Sequence, residues 1–214
     1  NLVAELFYTK DGERRLFNGN KDPLDTNGFV SKDCLTWVDV WGKQLKQQGS
    51  TSLENQLEAE AICSYLEELS ESFTRKIDVA VITPYGAQKR LIRKLLKTSK
   101  GSQQVKLGSL NIKIDTVDSF QGSEAELVCY STVRTHGSMQ FLLDKKRLNV
   151  ACSRAKENLV FFGNIRALEN WKPKTGEVNL FKEIIERSKR EKYIPARSEK
   201  KKIFKSSRIN KNIA

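Results

Sequence analysis

Three short apolar runs constrain this chain more than any other feature. Ile77–Ile82 (IDVAVI), Leu127–Val133 (LVCYSTV) and Leu159–Phe162 (LVFF) have strand length and β-branched or aromatic content. A strand apolar on both faces needs cover on both, and crossovers that carry helices supply it in a parallel sheet. The sequence between the runs provides such helices. Thr51 or Ser52 can cap the first, Thr51 with Glu54 having capping-box spacing. Leu53, Leu57, Ala61, Ile62, Tyr65, Leu66 and Leu69 then fall on one helical face, with Glu58, Glu60, Glu67, Glu68 and Glu71 on the rest.

Thr83 as cap and Pro84 at the first helical position open a second helix. Its Leu91, Ile92, Leu95 and Leu96 turn inward, and Lys89, Arg90, Arg93, Lys94 and Lys97 outward. Further strands are expected at Leu35–Val40 and Ile112–Val117, a short helical segment around Arg147 and Arg154, and a last amphipathic helix carrying Leu180, Phe181, Ile184 and Ile185. Gly42–Ser50 and residues 98–109 read as loops. The class is α/β, a mostly parallel sheet with helices on both faces.

Composition narrows the chemistry. A chain of 214 residues buries roughly 70% of its unfolded surface, so its core needs no disulfides. Cys34, Cys63, Cys129 and Cys152 fit neither a CxxC metal pattern nor a disulfide ladder, and most of them read as small buried hydrophobes in a reducing compartment. With one histidine, His136, there is almost no capacity for imidazole-based metal or triad chemistry, and no metal ligands are assigned. No apolar run reaches the ~20 residues of a membrane span, so no membrane partner is expected. The chain starts at Asn1 and its sole methionine is Met139, so a piece of a longer protein is expected. Of the net charge of +12, residues 182–214 carry +8 (twelve Lys/Arg against four Asp/Glu), which leaves +4 for the rest. Residues 193–214 are expected to form a basic, weakly ordered tail, either solvated or in electrostatic contact with nucleic acid.

Two segments carry candidate chemistry. The Gln121-Gly122-Ser123-Glu124 turn follows a strand, where Gly122 permits close backbone approach to a ligand and Glu124 has carboxylate oxygens for ribose hydroxyls. The same turn also suits an ordinary N-capping Glu. Arg147 and Arg154, seven residues apart, project within about 20° of one another on a helix. Two guanidiniums on one ridge match phosphate oxygens, or else form ordinary salt bridges.

The order of the segments adds a resemblance. VITPYGAQ at 81–88, TVDSFQGSEAELV at 116–128 and KRLNVACSRA at 146–155 resemble motifs four, five and six of superfamily 1 helicases, closest to the subfamily of nonsense-mediated-decay and related DNA/RNA helicases. Cys152 and Ser153 stand where that family usually has Leu and Thr. Asn55 and Glu58-Ala59 match the start of the family's preceding helix, and Leu6-Phe7-Tyr8 the segment after its first RecA-like domain.

The resemblance implies a RecA-like P-loop NTPase second domain over residues 1–192, with 1–50 an irregular lead-in containing one strand and 51–192 the core. In such helicases ATP and Mg2+ lie between two RecA-like domains, the first holding the phosphate loop and the metal. No GxxxxGK[ST] occurs in this chain, so its expected partner is that first domain, and alone it is expected to be inactive. By match, Arg154 is the catalytic arginine finger, and Gln121, Gly122, Glu124 and Arg147 are on the ATP side. Thr83, Pro84, Tyr85, Thr116, Asp118 and Ser119 contact single-stranded DNA or RNA, while Gln88 positions the loop and Arg134 couples the two sites. A salt bridge is the rival for Arg147 and for Arg134, as packing under the loop is for Tyr85. The implied function is the motor domain of an ATP-dependent helicase or translocase, cytoplasmic, or nuclear in a eukaryote. The alternative is a nucleic-acid-binding or scaffold module of an inactive or accessory helicase-like protein.

Overall fold

The computed structural model of the chain describes residues 9–10, 13–14, 34–47, 49–99, 102, 104–120, 123–173, 178–195 and 204–206. Twelve strands are present among them: β1 (Thr9–Lys10), β2 (Glu13–Arg14), β3 (Leu35–Asp39), β4 (Gln44–Lys46), β5 (Leu53–Asn55), β6 (Ile77–Thr83), β7 (Gln104–Leu107), β8 (Leu110–Thr116), β9 (Ala125–Ser131), β10 (Ala155–Gly163), β11 (Lys189–Tyr193) and β12 (Phe204–Ser206). The helices are α1 (Gln56–Ser70), α2 (Gly86–Leu95), α3 (Lys145–Ser153), α4 (Ile165–Glu169) and α5 (Leu180–Arg187). The main sheet has the order β12-β11-β3-β10-β9-β6-β8-β7. Its six inner strands run parallel, and an antiparallel strand closes each side.

Alternation along the inner strands builds two cores. Trp37, Ala80, Ile82, Val128, Tyr130 and Phe161 point to one face, where Leu148, Ala151 and Cys152 of α3 and Phe181, Ile184 and Ile185 of α5 meet them. Val38, Val79, Val81, Leu127, Cys129 and Phe162 point to the other, under α1 and Ile92 of α2. This two-sided cover is why those strands read as near-continuous apolar runs. The first core centres on aromatic contacts. Trp37 stacks on Phe161 with centroids 5.0 Å apart, Phe181 meets Trp37 edge-on at 6.0 Å, and the Trp37 indole N–H donates to the Gly163 carbonyl at 3.0 Å.

Several elements differ from the sequence reading. Asn55, not Thr51 or Ser52, caps α1: its side-chain oxygen accepts from the Glu58 amide at 3.3 Å. Ser52 instead accepts from the Ala87 amide at 2.9 Å, tying the lead-in to α2. Helix α2 starts at Gly86, two residues later than read, because Thr83 still belongs to β6. The supposed loops at 42–50 and 98–109 contain β4, paired with β5, and β7, paired with β8. These strands are short and polar, since an edge strand needs only backbone pairing on one side. Strand β11, rich in Lys and Arg, was not foreseen; it aligns parallel to β3 and pairs on its other side with β12. The Leu6-Phe7-Tyr8 patch and most of the tail lie outside the described residues.

Phe161 is fully buried among three aromatic partners. Truncation to Ala leaves a cavity that neighbouring rings cannot fill by small shifts. Phe161→Ala is expected to cost about 3–5 kcal/mol and to lower the midpoint of thermal unfolding by roughly 10 °C, measurable by circular dichroism; a shift under ~3 °C would show that the aromatic layer does not hold the sheet together.

Candidate functional site

The carboxyl ends of β6, β8 and β9 form one edge of the parallel sheet, where an open α/β fold usually receives its ligand. At the end of β6, Thr83 is fully buried and Tyr85 nearly so, which leaves Pro84 as the half-exposed residue of the turn. Direct contact from the Thr83 hydroxyl to a bound strand is thus unavailable in this arrangement. The Tyr85 hydroxyl accepts from Arg134 Nε at 2.6 Å, and its ring packs against Phe141 at 5.5 Å. At the end of β8, Thr116 donates to the Ser119 hydroxyl at 3.0 Å, and Asp118 and Ser119 are exposed. Asp115 accepts from Lys89 of α2 at 2.6 Å and from the Thr116 amide at 2.8 Å, which ties α2 to the end of β8. Partial burial opposes the Asp115 charge, yet those donors hold its carboxyl below the usual range.

At the end of β9 the chain makes a tight turn. Val133 has φ +67°, and the Arg134 amide donates to the Thr132 carbonyl at 2.8 Å. A β-branched residue in the left-handed region costs on the order of 1–3 kcal/mol and persists only where its surroundings enforce it. Glu58 of α1 is the enforcer. Its carboxyl is fully buried and accepts from the Ser131 hydroxyl at 2.6 Å, the Thr132 hydroxyl at 3.1 Å and the Val133 amide at 2.7 Å. Asn55 donates to the Val133 carbonyl at 3.3 Å. Gln88, also fully buried, accepts from the Asn55 amide at 2.8 Å and donates to Ser131 at 3.1 Å. Arg134, presented by this turn, therefore reaches Tyr85 from a backbone fixed at three points.

The sequence sets Glu58 outside the apolar face of α1, and the structure places it on the buried face. The signal was present: Glu58, Ile62, Tyr65 and Leu69 recur at helical spacing on the buried face of α1. A carboxylate there demands donors from the element packed beneath it.

Helix α3 carries the chain from the carboxyl edge back to the amino edge, so its two arginines face different neighbourhoods. Near its start, Arg147 Nε pairs with Asp118 at 2.9 Å and its guanidinium lies 4.4 Å from the Phe141 ring centre. The expected single ridge is thus split: Arg147 joins the Asp118 group, and the salt bridge named as its rival is formed. Arg154 caps the other end, donating to the Val150 carbonyl at 3.3 Å, as suits a cation at a helix C-terminus. Among the described residues no carboxylate pairs with it. Ala125 and Ala155 are register partners, and the Ala125 amide donates to the Arg154 carbonyl at 3.0 Å. Glu124, exposed, is therefore adjacent to Arg154, with only a 4.0 Å contact to Lys156. Gln121 and Gly122 lie outside the described residues.

Comparison with known proteins bears on this arrangement. The AAA_12 family, described as an AAA domain, matches residues 2–166. The chain belongs to that family. An uncharacterized ATP-dependent helicase of Methanocaldococcus jannaschii is 35% identical to this AAA_12 chain over 168 residues, covering 78% of the chain and 23% of the relative. The DNA polymerase alpha-associated DNA helicase A of Schizosaccharomyces pombe is 37% identical over 115 residues, 53% of the chain and 16% of that protein. The ATP-dependent helicase NAM7 of Saccharomyces cerevisiae is 30% identical over 158 residues, 73% of the chain and 16% of its own length. The AAA_12 chain thus spans under a quarter of the length of these relatives. The C-terminal domain of a possible DNA helicase from Lactobacillus plantarum aligns at 15% identity with a TM-score of 0.41, over 65% of this chain and 81% of that one. The membership in superfamily 1 helicases drawn from the three motifs holds.

Burial pushes the Glu58 carboxyl up from 4.5 to about 7, against the pull of its three donors. The folded chain therefore holds this proton more tightly than the unfolded one. The stability it contributes is complete below about pH 4.5 and is lost as the pH rises toward 7. The loss is expected to be roughly 3 kcal/mol by urea unfolding between pH 5 and 8. Glu58→Gln can keep an oxygen on the Val133 amide and turn its NH2 to the Thr132 hydroxyl, so it should fold normally and flatten that pH dependence. An unchanged pH profile in the variant would place the titration on another group.

Proposed function

We propose that this chain acts as the second RecA-like motor domain of an ATP-dependent helicase or translocase, completing a nucleotide site whose phosphate loop and metal ligands belong to a first RecA-like domain. The observation that carries the reading is Arg154. It is a half-buried guanidinium without a carboxylate partner among the described residues, held at a helix end beside the exposed Glu124. A planar fork of donors in that state suits phosphate oxygens. In this reading the phosphate loop and the magnesium ligands belong to the first domain, and the residues named here to the other side of the nucleotide. Bound ATP supplies the phosphoanhydride whose cleavage powers the cycle. In this reading Arg154 neutralises charge developing at the terminal phosphate, and Glu124, with Gln121 and Gly122, meets the nucleoside side.

The strand is proposed to cross the carboxyl edge of the sheet. Thr116 and Ser119 offer hydroxyls to phosphate and sugar there, while Pro84 and Asp118 offer acceptor oxygens to sugar hydroxyls, and none of these contacts reads sequence. At the N-terminus of α2 the N-cap Tyr85 makes no side-chain bond and Ser52 takes the Ala87 amide, so the Gly86 amide is the donor proposed to face a phosphate. Arg134, bonded to Tyr85 and carried by the Glu58-clamped turn, connects that edge to β9, while Arg147 and Arg154 connect the two edges through α3. Closure and reopening of the two domains would then move the strand-binding edge.

Two outcomes are expected. In the intact protein, Arg154→Ala lowers kcat for ATP by about 10³-fold or more, with KM little changed, in a steady-state phosphate-release assay; a near wild-type rate would move the finger elsewhere. The chain by itself shows no ATPase above background under the same conditions, with or without single-stranded DNA or RNA. Turnover comparable to the intact protein would refute the split site.

A further inference from the structure

Phe141 is an exposed aromatic ring at the carboxyl edge, next to the turn that follows β6. Tyr85, the aromatic of the motif itself, is 7% exposed and its hydroxyl is taken by Arg134, whereas Phe141 is 39% exposed. The segment that carries it is fixed. Met139 and Leu142 on either side are buried, and the Leu142 and Leu143 amides both donate to the Met139 carbonyl, at 2.9 and 3.1 Å. With Met139 and Leu142 turned inward, Phe141 is held outward against the tendency of apolar surface to leave water. Its ring rests on Tyr85 at 5.5 Å with a 42° tilt, and the Arg147 guanidinium lies 4.4 Å from its centre. Arg147 is itself anchored by Asp118.

With the Arg147 guanidinium lying over its ring, Phe141 backs a flat cationic surface that suits an electron-rich partner, and nucleobases stack on both kinds of surface. One exposed ring is too small for a protein interface, which needs a contiguous patch of several hundred Å2. We infer that Phe141, with Arg147 beside it, is a stacking platform for one unpaired nucleobase of a strand lying on the carboxyl edge. This rests on the nucleic-acid reading above and adds a base contact that the three motifs do not contain.

The test measures equilibrium binding of the intact protein to two single strands of equal length, one with bases and one made of abasic sugars, by fluorescence anisotropy. Phe141→Leu keeps the apolar volume and removes the π face, and Phe141→Trp restores it. The expected result for Phe141→Leu is a roughly ten-fold or greater loss of affinity for the base-bearing strand. Its affinity for the abasic strand stays at the wild-type value, and its thermal midpoint matches wild type. Phe141→Trp should bind normally, with indole fluorescence quenched by the base-bearing strand alone. Unchanged affinity in Phe141→Leu, or an equal loss for both strands, would overturn the platform while leaving strand binding intact. Failure of the wild-type protein to bind either strand would remove the nucleic-acid reading and the platform with it.

Discussion

The geometry of the carboxyl edge depends on one buried carboxyl group. Glu58 spans from α1 to the end of β9 and fixes Ser131, Thr132 and Val133 together. Without those contacts, nothing would favour a valine at φ +67° over an extended continuation of the strand. The turn decides where Arg134 begins, and so where Tyr85 is held and on what Phe141 rests. Asn55 and Gln88 extend the same network to the caps of α1 and to the first turn of α2. If the edge changes contacts in each cycle, as proposed, it needs an unchanging reference, and a fully satisfied buried network supplies one.

Helix α3 gives the proposed mechanism its lever. At 1.5 Å per residue, nine residues make a rod of about 13 Å. One end is pinned at the carboxyl edge by Arg147 and Asp118, and the other delivers Arg154 to the amino edge. Small residues on its inner face, Ala151 and Cys152, let it lie close to the sheet, so it moves with the sheet rather than across it. In this reading a charge appearing beside Arg154 is felt by the strand-binding edge through a stiff element.

Much of this was legible in the residues. Runs such as IDVAVI and LVFF are apolar on both faces because helices cover both, and that pattern survives any uncertainty about turns. The edge strands were not legible: Gln44–Lys46, Gln104–Leu107 and Lys189–Tyr193 are polar and held by backbone pairing, which leaves no periodic signature. Caps were misread for a related reason. Thr51, Ser52 and Asn55 all have a suitable oxygen, and the choice depends on β5 pairing with β4, a tertiary fact. For the site, helical spacing predicts one ridge for Arg147 and Arg154, but Arg154 falls at the C-cap of α3 and the two meet different neighbours. It could not show that Asp118, 29 residues earlier, waits at one end only.

The position of β3 has a consequence for how the chain is made. This strand lies near the beginning, yet its neighbours in the sheet are β10 and β11, with Trp37 set opposite Phe161 and Arg190. More than 110 residues must follow Leu35–Asp39 before either neighbour exists. On the ribosome the strand therefore leaves the exit tunnel with its apolar side chains and backbone edge unsatisfied. It joins the sheet only after β6, β8 and β9 have been synthesised. Such long-range parallel pairing is slow, so the apolar face of β3 stays uncovered until the later strands have formed.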